Sequence, residues 1–193
     1  LYVTNNNELY TCGYNGYGQL GVGHTQDVTV FTKVAQNVKK AKHCGSQVYY
    51  LTNNNELYGC GNGYTGCFGT GTSTKQFIKM ATNVKDFDSC GNSTFYINNN
   101  GDLYGTGYNY NGQQGNGKSG SGNEYVKGFV KRASNVRFVC AGGSATYYIN
   151  NDNELYACGS QQHNRLLNGV ANNTVCQTTF KKSMSNILTG HFI

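Results

Sequence analysis

The chain has 193 residues and a net charge of +6, with 37% hydrophobic and only 12% charged residues. Glycine and asparagine fill the gap, at 27 each, beside 16 Tyr, 9 Phe, no Pro and no Trp. Gly and Asn weaken helix interiors and aromatics suit strands, which excludes a helical bundle. The absence of Pro excludes collagen, and the aromatic content excludes simple disorder.

The positive charge is modest and spread along the chain. It permits an acidic partner without demanding nucleic acid. No run of about 18 apolar residues offers a membrane span. The first residue is Leu1, so the chain reads as processed or as a piece of something longer.

One register runs through the chain four times. The first unit opens on a strand signal at 1–4 and an Asn cluster that leads into Asn-Glu-Leu-Tyr at 7–10. The same string returns at 55–58 and 153–156, with Gly101-Asp102-Leu103-Tyr104 as the remaining copy. The acids Glu8, Glu56, Asp102 and Glu154 are thus 48, 46 and 52 residues apart. Two short apolar runs joined by an Asn turn, such as 48–52 and 56–60, predict a hairpin, because Asn tolerates the left-handed backbone of tight turns. A glycine follows at Gly13, Gly61, Gly107 and Gly159, preceded by Cys12, Cys60, Thr106 and Cys158. A glycine-run loop comes next, marked by Gly18 and Gly21, Gly66 and Gly69, and Gly112 and Gly115, and eroded at 164–169. These ten glycines read as structural repeat positions, several of them in turns with positive φ.

Phe-x-Lys-x-x-x-Asn then begins at Phe31, Phe77, Phe129 and Phe180, and with stretches such as 38–44 it reads as two more strands. The units close on Cys44-Gly45, Cys90-Gly91, Cys140-Ala141-Gly142 and Thr189-Gly190. Three to four short strands per roughly 50 residues is the pattern of a propeller blade. The expectation is an all-β chain forming one propeller region over 1–193, with repeats at about 3–50, 51–96, 97–148 and 149–193.

Eight cysteines invite a disulfide or zinc framework, but no C-x-x-C occurs and Cys60 and Cys67 are seven apart. Six of the eight fall at repeat positions. They read as reduced, mostly buried thiols of an intracellular protein. The glycosylation sequons at 92–94 and 172–174 would matter only in a secreted chain.

Catalytic constellations are scarce. His24, His43, His163 and His191 occupy non-equivalent repeat positions, with no H-E-x-x-H or paired metal-ligand spacing. The glycine runs lack the G-K-S/T ending of a phosphate loop. A repeated acid reads as a structural or solvated strand position. The expectation is therefore no enzyme activity, no catalytic residue, no metal and no cofactor.

Partner contact has better candidates. Lys33, Lys79, Lys131 and Lys182 share one repeat position and would form a positive arc, with Lys39, Lys40, Lys42, Arg132, Arg137 and Lys181 nearby. Such an arc either meets an acidic partner or is a set of solvated positions that discourage edge pairing. The tyrosines imitate a nucleic-acid platform, yet they are needed as blade filler, so direct nucleic-acid readout is not expected. The third copy carries an insertion at 118–128, with Lys118, Glu124, Tyr125 and Lys127 as candidate contacts; the second copy has only five residues between Gly71 and Phe77. A long loop on a rigid scaffold is either a contact element or a tolerated insertion.

Tyr10-Thr11-Cys12-Gly13-Tyr14-Asn15-x-x-Gly18-Gln19-Leu20-Gly21-x-Gly23, with Leu51-Thr52-x-x-x-Glu56-Leu57-Tyr58-x-Cys60-Gly61 behind it, resembles the RCC1 (regulator of chromosome condensation) repeat, T-x-x-G-x-V-Y-x-W-G-x-N-x-x-G-Q-L-G-x-G. The resemblance runs through the whole chain, strongest in the first copy and weakest in the fourth. The family Trp is replaced by Cys12, Cys60, Thr106 and Cys158, and the family's His-Ser after the closing Gly and its Pro in the third strand are missing.

The resemblance implies an RCC1-like β-propeller, with four blade-repeats making about half of a seven-bladed ring, so a fragment of a longer chain is expected. It further implies a non-catalytic protein-interaction scaffold or docking module, including cytoskeletal and ciliary settings. The alternative is guanine-nucleotide exchange on a Ran-type small GTPase with chromatin contact. The expected location is intracellular, cytoplasmic or cytoskeletal under the first reading and nuclear under the second. The fragment expectation is checked by the intact mass of the natural chain, which exceeds the 21.0 kDa of these residues if it holds.

Overall fold

Alternating apolar and polar positions in runs of five to nine residues, cut by Asn and Gly, fold as antiparallel strands around tight turns. The computed structural model describes residues 1–122, 124–167, 169 and 175–188. Asn168, the sequon at 172–174, the closing Thr189-Gly190 and His191 lie outside the described residues.

Strands β1 (Tyr2–Val3), β2 (Leu9–Gly13) and β3 (Val28–Ala35) form a three-stranded sheet. Three four-stranded sheets follow. They are β4 (Val38–Cys44), β5 (Gln47–Thr52), β6 (Leu57–Gly61) and β7 (Thr74–Ala81); then β8 (Val84–Cys90), β9 (Ser93–Asn98), β10 (Leu103–Tyr108) and β11 (Tyr125–Ala133); then β12 (Val136–Ala141), β13 (Ala145–Asn150), β14 (Leu155–Ser160) and β15 (Cys176–Met184). Each is an antiparallel meander with its strands in chain order. Among the described residues the only helical element is a single 3-10 turn, Gln162–Asn164.

The predicted turns have the predicted chemistry. Asn7, Asn55 and Asn153 close the hairpins at φ of 60–62°, with Gly101 at 79° in the third copy. Asn37, Asn83, Asn135 and Asn186, the last residues of the Phe-x-Lys-x-x-x-Asn motif, are left-handed too. Asn37, Asn83 and Asn135 turn the chain from the last strand of one sheet into the first strand of the next. The sheets therefore break at these asparagines and not at the repeat boundaries. Each of the first three sequence repeats supplies the outer two strands of one blade and most of the inner two of the next.

Packing is between blades. The second strands β5, β9 and β13 are buried along their whole length. Tyr49, Leu51, Leu57, Cys67 and Phe68 of the second sheet pack with Val84, Phe87 and Tyr96 of the third. Phe95, Ile97 and Leu103 pack in the same way with Val136, Val139 and Tyr148 of the fourth.

An aromatic triad recurs four times: Tyr2–Tyr10–Phe31, Tyr50–Tyr58–Phe77, Tyr96–Tyr104–Phe129 and Tyr148–Tyr156–Phe180. The tyrosine pairs are stacked at 4.8–5.2 Å and the Phe rings lie edge-on at 4.8–4.9 Å. Each such ring pair adds about 0.5–1.5 kcal/mol beyond its buried area.

The glycine-run loop of one blade lies on the outer strand of the next. A Cβ at Gly21 would stand 2.2 Å from the Phe77 ring, and one at Gly115 would stand 2.5 Å from the Phe180 ring. The position of the family Trp also ties blades together. The Cys60 thiol donates to the Gln19 carbonyl at 3.1 Å, the Thr106 hydroxyl to Gly66 at 2.9 Å, and the Cys158 thiol to Gln113 at 3.4 Å. A small donor at this site reaches the preceding blade's loop.

Gly115→Ala is expected to lower stability by about 2–4 kcal/mol, from the left-handed backbone and the collision with Phe180 together. Gly117→Ala, also left-handed but with open space at its Cβ, should cost only about 1–2 kcal/mol. Urea midpoints of the two variants measure the difference.

Candidate partner-binding face

The four repeated lysines do stand in one register, each opposite a tyrosine or its equivalent on the third strand: Tyr10↔Lys33, Tyr58↔Lys79, Tyr104↔Lys131 and Tyr156↔Lys182. Each is also half of an ion pair. Lys33 meets Glu8, Lys79 meets Glu56 at 2.6 Å, Lys131 meets Asp102 at 2.7 Å and Lys182 meets Glu154 at 2.5 Å. Tyr10, Tyr58 and Tyr156 donate their hydroxyls to the same glutamates. The lysine bond is the main cause that holds all four carboxyls below their ordinary values, and the glutamates in turn raise Lys33, Lys79 and Lys182. The four lysines therefore stand in one arc, as a ladder of ion pairs with the acids of their own blades. The repeated acids read as structural or solvated strand positions, and the lysines are what they face.

Two more pairs join neighbouring sheets, Lys40 with Asp86 at 2.6 Å and Lys42 with Asp88. Six of the fifteen cations and six of the nine acids are therefore matched. The nine cations and three acids left over carry the whole net charge of +6.

Part of that surplus gathers with aromatic rings at one end of the blades, where the glycine-run loops emerge. Lys75, Lys118, Lys127 and Arg165 are exposed there and make no ion pair among the described residues. Tyr64 is 73% exposed and Tyr14 62%, with Tyr17, Tyr110 and Tyr125 close to half. Tyr17, Tyr64, Thr25, Ser73 and Lys75 line a groove of about 180 Å³ between the first two blades. Tyr108 carries the stacked Tyr110 at 6.5 Å and Tyr125 at 5.9 Å. Apart from Tyr125, a candidate contact of the insertion, the sequence reading takes these rings as blade filler. Tyr2, Tyr10, Tyr50, Tyr58, Tyr96, Tyr104, Tyr148 and Tyr156 are filler, but the loop tyrosines are not. The signal that separates them is their place inside the glycine runs instead of on the alternating strands.

Buried asparagines fix this surface. Asn15 bonds the His24 and Gln26 carbonyls at 2.8 and 3.1 Å and accepts from the Leu20 N–H at 3.0 Å. Asn109 accepts from the Gln114 N–H at 2.9 Å and donates to the Lys118 carbonyl at 3.1 Å. Its own N–H reaches the Glu124 carbonyl at 2.6 Å. The insertion is therefore anchored at both ends, with Lys118, Tyr125 and Lys127 exposed and Glu124 half-buried. Lys39, Lys85 and Arg137 stand at the other end of the blades, where Arg137 bonds the Asn150 and Ile187 carbonyls.

The remaining expectations fall as follows. No disulfide is present among the described residues, but only Cys60, Cys67 and Cys158 are buried; the other five cysteines are half-buried. Among the described residues no group of three His, Cys, Asp or Glu side chains could hold a metal ion. No helix among them is long and apolar enough to cross a membrane.

A family model of the regulator of chromosome condensation (RCC1) repeat matches residues 6–47. The fold is that of the RCC1-type propellers. Over 96% of the chain it matches human WBSCR16 at 18% identity and a TM-score of 0.78, covering 50% of that protein. It matches Prp20p from Saccharomyces cerevisiae at 18% identity and 0.78, covering 49%, a structure described together with that protein's binding to Gsp1p and histones. A structure of Kap60 bound to yeast RCC1 (Prp20) matches at 18% identity and 0.80 over 47% of its length. The chain thus spans about half the length of these structures. No curated protein sequence matches significantly.

The carboxylate–lysine ladder has a pH signature. Carboxyls held low in the folded chain stabilise it above their ordinary range, and that contribution is lost as the pH falls through the lowered values. A variant carrying Glu8→Gln, Glu56→Gln and Glu154→Gln should be less stable than the parent at pH 7 and converge on it as the pH falls through the lowered carboxyl values. Urea titration at pH 7 and at a series of acid pH values checks this.

Proposed function

We propose that this RCC1-type propeller is a non-catalytic docking module that takes an acidic segment of a partner protein on its glycine-loop face. The observation that carries the reading is the coincidence of exposed Tyr14, Tyr17, Tyr64 and Tyr110 with Lys75, Lys118, Lys127 and Arg165 on one rigidly anchored surface. Tyrosine offers large contact area at low entropic cost, and unpaired cations steer and orient an acidic partner. The insertion extends the face with Lys118, Glu124, Tyr125 and Lys127. Lys33, Lys79, Lys131 and Lys182 are left outside it, since each is neutralised within its own blade. Acidic surfaces of cytoskeletal and ciliary proteins belong to the class of partner that fits.

Guanine-nucleotide exchange on a Ran-type GTPase is the second reading. It is favoured by the fold shared with Prp20p, and fold alone does not assign function.

Carbodiimide cross-linking of the native protein in its source, followed by mass spectrometry, separates these readings. The reagent joins a lysine amine to a carboxylate in direct contact. Links from Lys75, Lys118 and Lys127 to an acidic stretch of one protein are expected, and Lys75→Glu with Lys118→Glu and Lys127→Glu should weaken binding at least about tenfold at physiological salt. Links confined to Lys39 and Lys85, at the opposite end of the blades, would overturn the assignment of the face. A linked small GTPase whose nucleotide release the protein accelerates would put exchange in place of docking.

A further inference from the structure

The seam between the second and third blades is stitched by a regular series. Strands β4 and β8 lie side by side, and residues 46 apart face each other across them. Lys40 reaches Asp86 at 2.6 Å and the Phe87 carbonyl at 2.8 Å, and Lys42 reaches Asp88. The next step of the series is Cys44 and Cys90, which lie two residues beyond Lys42 and Asp88 on the same faces of β4 and β8, at the glycine-loop end of the seam. Both are free and half-buried, so solvent reaches them.

The two sulfurs have different surroundings. The Cys90 thiol, the backbone N–H groups of Gly91 and Asn92 and the Lys42 ammonium all act on Cys44 in the sense that favours its thiolate, against the opposing effect of burial. Gly91 and Asn92 are both left-handed, at φ of 56° and 66°, and successive N–H groups in such a turn form a concavity suited to an anion. Together these groups hold the Cys44 thiol at about 6. Cys90 is pushed up, chiefly by its neighbour Cys44 and then by burial, and keeps its proton. Cys60 and Cys158, deep in the third strands, are pushed up by burial and stay inert. The fourth blade has Gly142 at the matching position, so this arrangement is confined to one seam.

We propose that Cys44 and Cys90 form a hydroperoxide-reactive dithiol, a modification site that closes to a disulfide across the seam between the second and third blades. In the first step the Cys44 thiolate attacks one peroxide oxygen. The O–O bond breaks, hydroxide leaves and is protonated to water, and Cys44 becomes a sulfenic acid. In the second step the Cys90 sulfur attacks the Cys44 sulfur. The S–O bond breaks, the S–S bond forms, and the Cys90 proton leaves with the hydroxyl as a second water. Two thiols give up two electrons and one peroxide is reduced to two waters. The oxidant is hydrogen peroxide or an alkyl hydroperoxide, which becomes an alcohol and one water.

The test uses the full chain, reduced and then exposed to hydrogen peroxide at pH 7. Digestion without reductant should yield a Cys44–Cys90 linked peptide two hydrogens lighter than its parts. In Cys90→Ser the reaction stops at the sulfenic acid, so dimedone labels Cys44. In Cys44→Ser, dimedone labels nothing at Cys90. Before oxidation, iodoacetamide should modify Cys44 at least about tenfold faster than Cys12 at pH 7, and the advantage should persist to about pH 6. Oxidation that begins at Cys12 or Cys176, a wild-type Cys44 that stops short of the disulfide, or an unreactive Cys44 would each overturn the proposal. The wild-type peptide map decides the matter even if a variant folds poorly.

Discussion

Everything in this molecule depends on one blade lying against the next. A single meander of four short strands has two apolar faces and cannot bury either alone. Here the second strand of each four-stranded blade is covered on both faces, and the glycine loop of one blade closes over the Phe of the next. Glycine is required there because the ring approaches to within the space a methyl group would take, and because the backbone is left-handed. The same contact sets the spacing of the Tyr–Tyr–Phe triads and places the small Cys or Thr donor within reach of the preceding loop. Sequence features that look independent along the chain are parts of one interface.

Charge follows from that geometry. The third and outer strands pair with a register shift beside the repeated tyrosine, which sets the Lys of the outer strand facing the acid that opens the third. Every blade carries this pair, and every copy cancels itself. Pairing of this kind on a half-exposed surface adds little stability, but it keeps like charges from accumulating along a row of identical edges. Part of the surplus lies on residues that do not repeat, such as Lys118 in the insertion and Arg165 in a loop, while Lys39, Lys85 and Arg137 repeat at the second position of β4, β8 and β12. Variation among loops on a constant frame is how repeat proteins acquire individual surfaces.

The all-β architecture, the hairpin asparagines and the repeat glycines were legible in the sequence because each answers a backbone requirement, and such requirements leave a residue type at a fixed spacing. The strand of 38–44 was read with its bounds intact for the same reason. The phase of the blades was not legible. Repeats were cut at a recurring string, whereas sheets are cut at Asn37, Asn83 and Asn135, whose left-handed turns have the same composition as the hairpin turns. The lysine–acid pairing also escaped, since its partners are 23 to 29 residues apart and joined only by a register shift. The exposed tyrosines were hidden by their own abundance. Eight of sixteen fill the triads, and composition cannot tell a buried ring from one on a loop.

The offset between repeat and blade has an evolutionary consequence. A unit copied or lost in register carries the outer half of one blade and most of the inner half of the following one. Recombination between any two copies therefore regenerates whole sheets at the junction, whichever copies are involved. The number of units can drift without an unpaired strand being left inside the array, while each loop diverges on its own. A protein assembled this way can change its length by ordinary unequal exchange and keep its architecture.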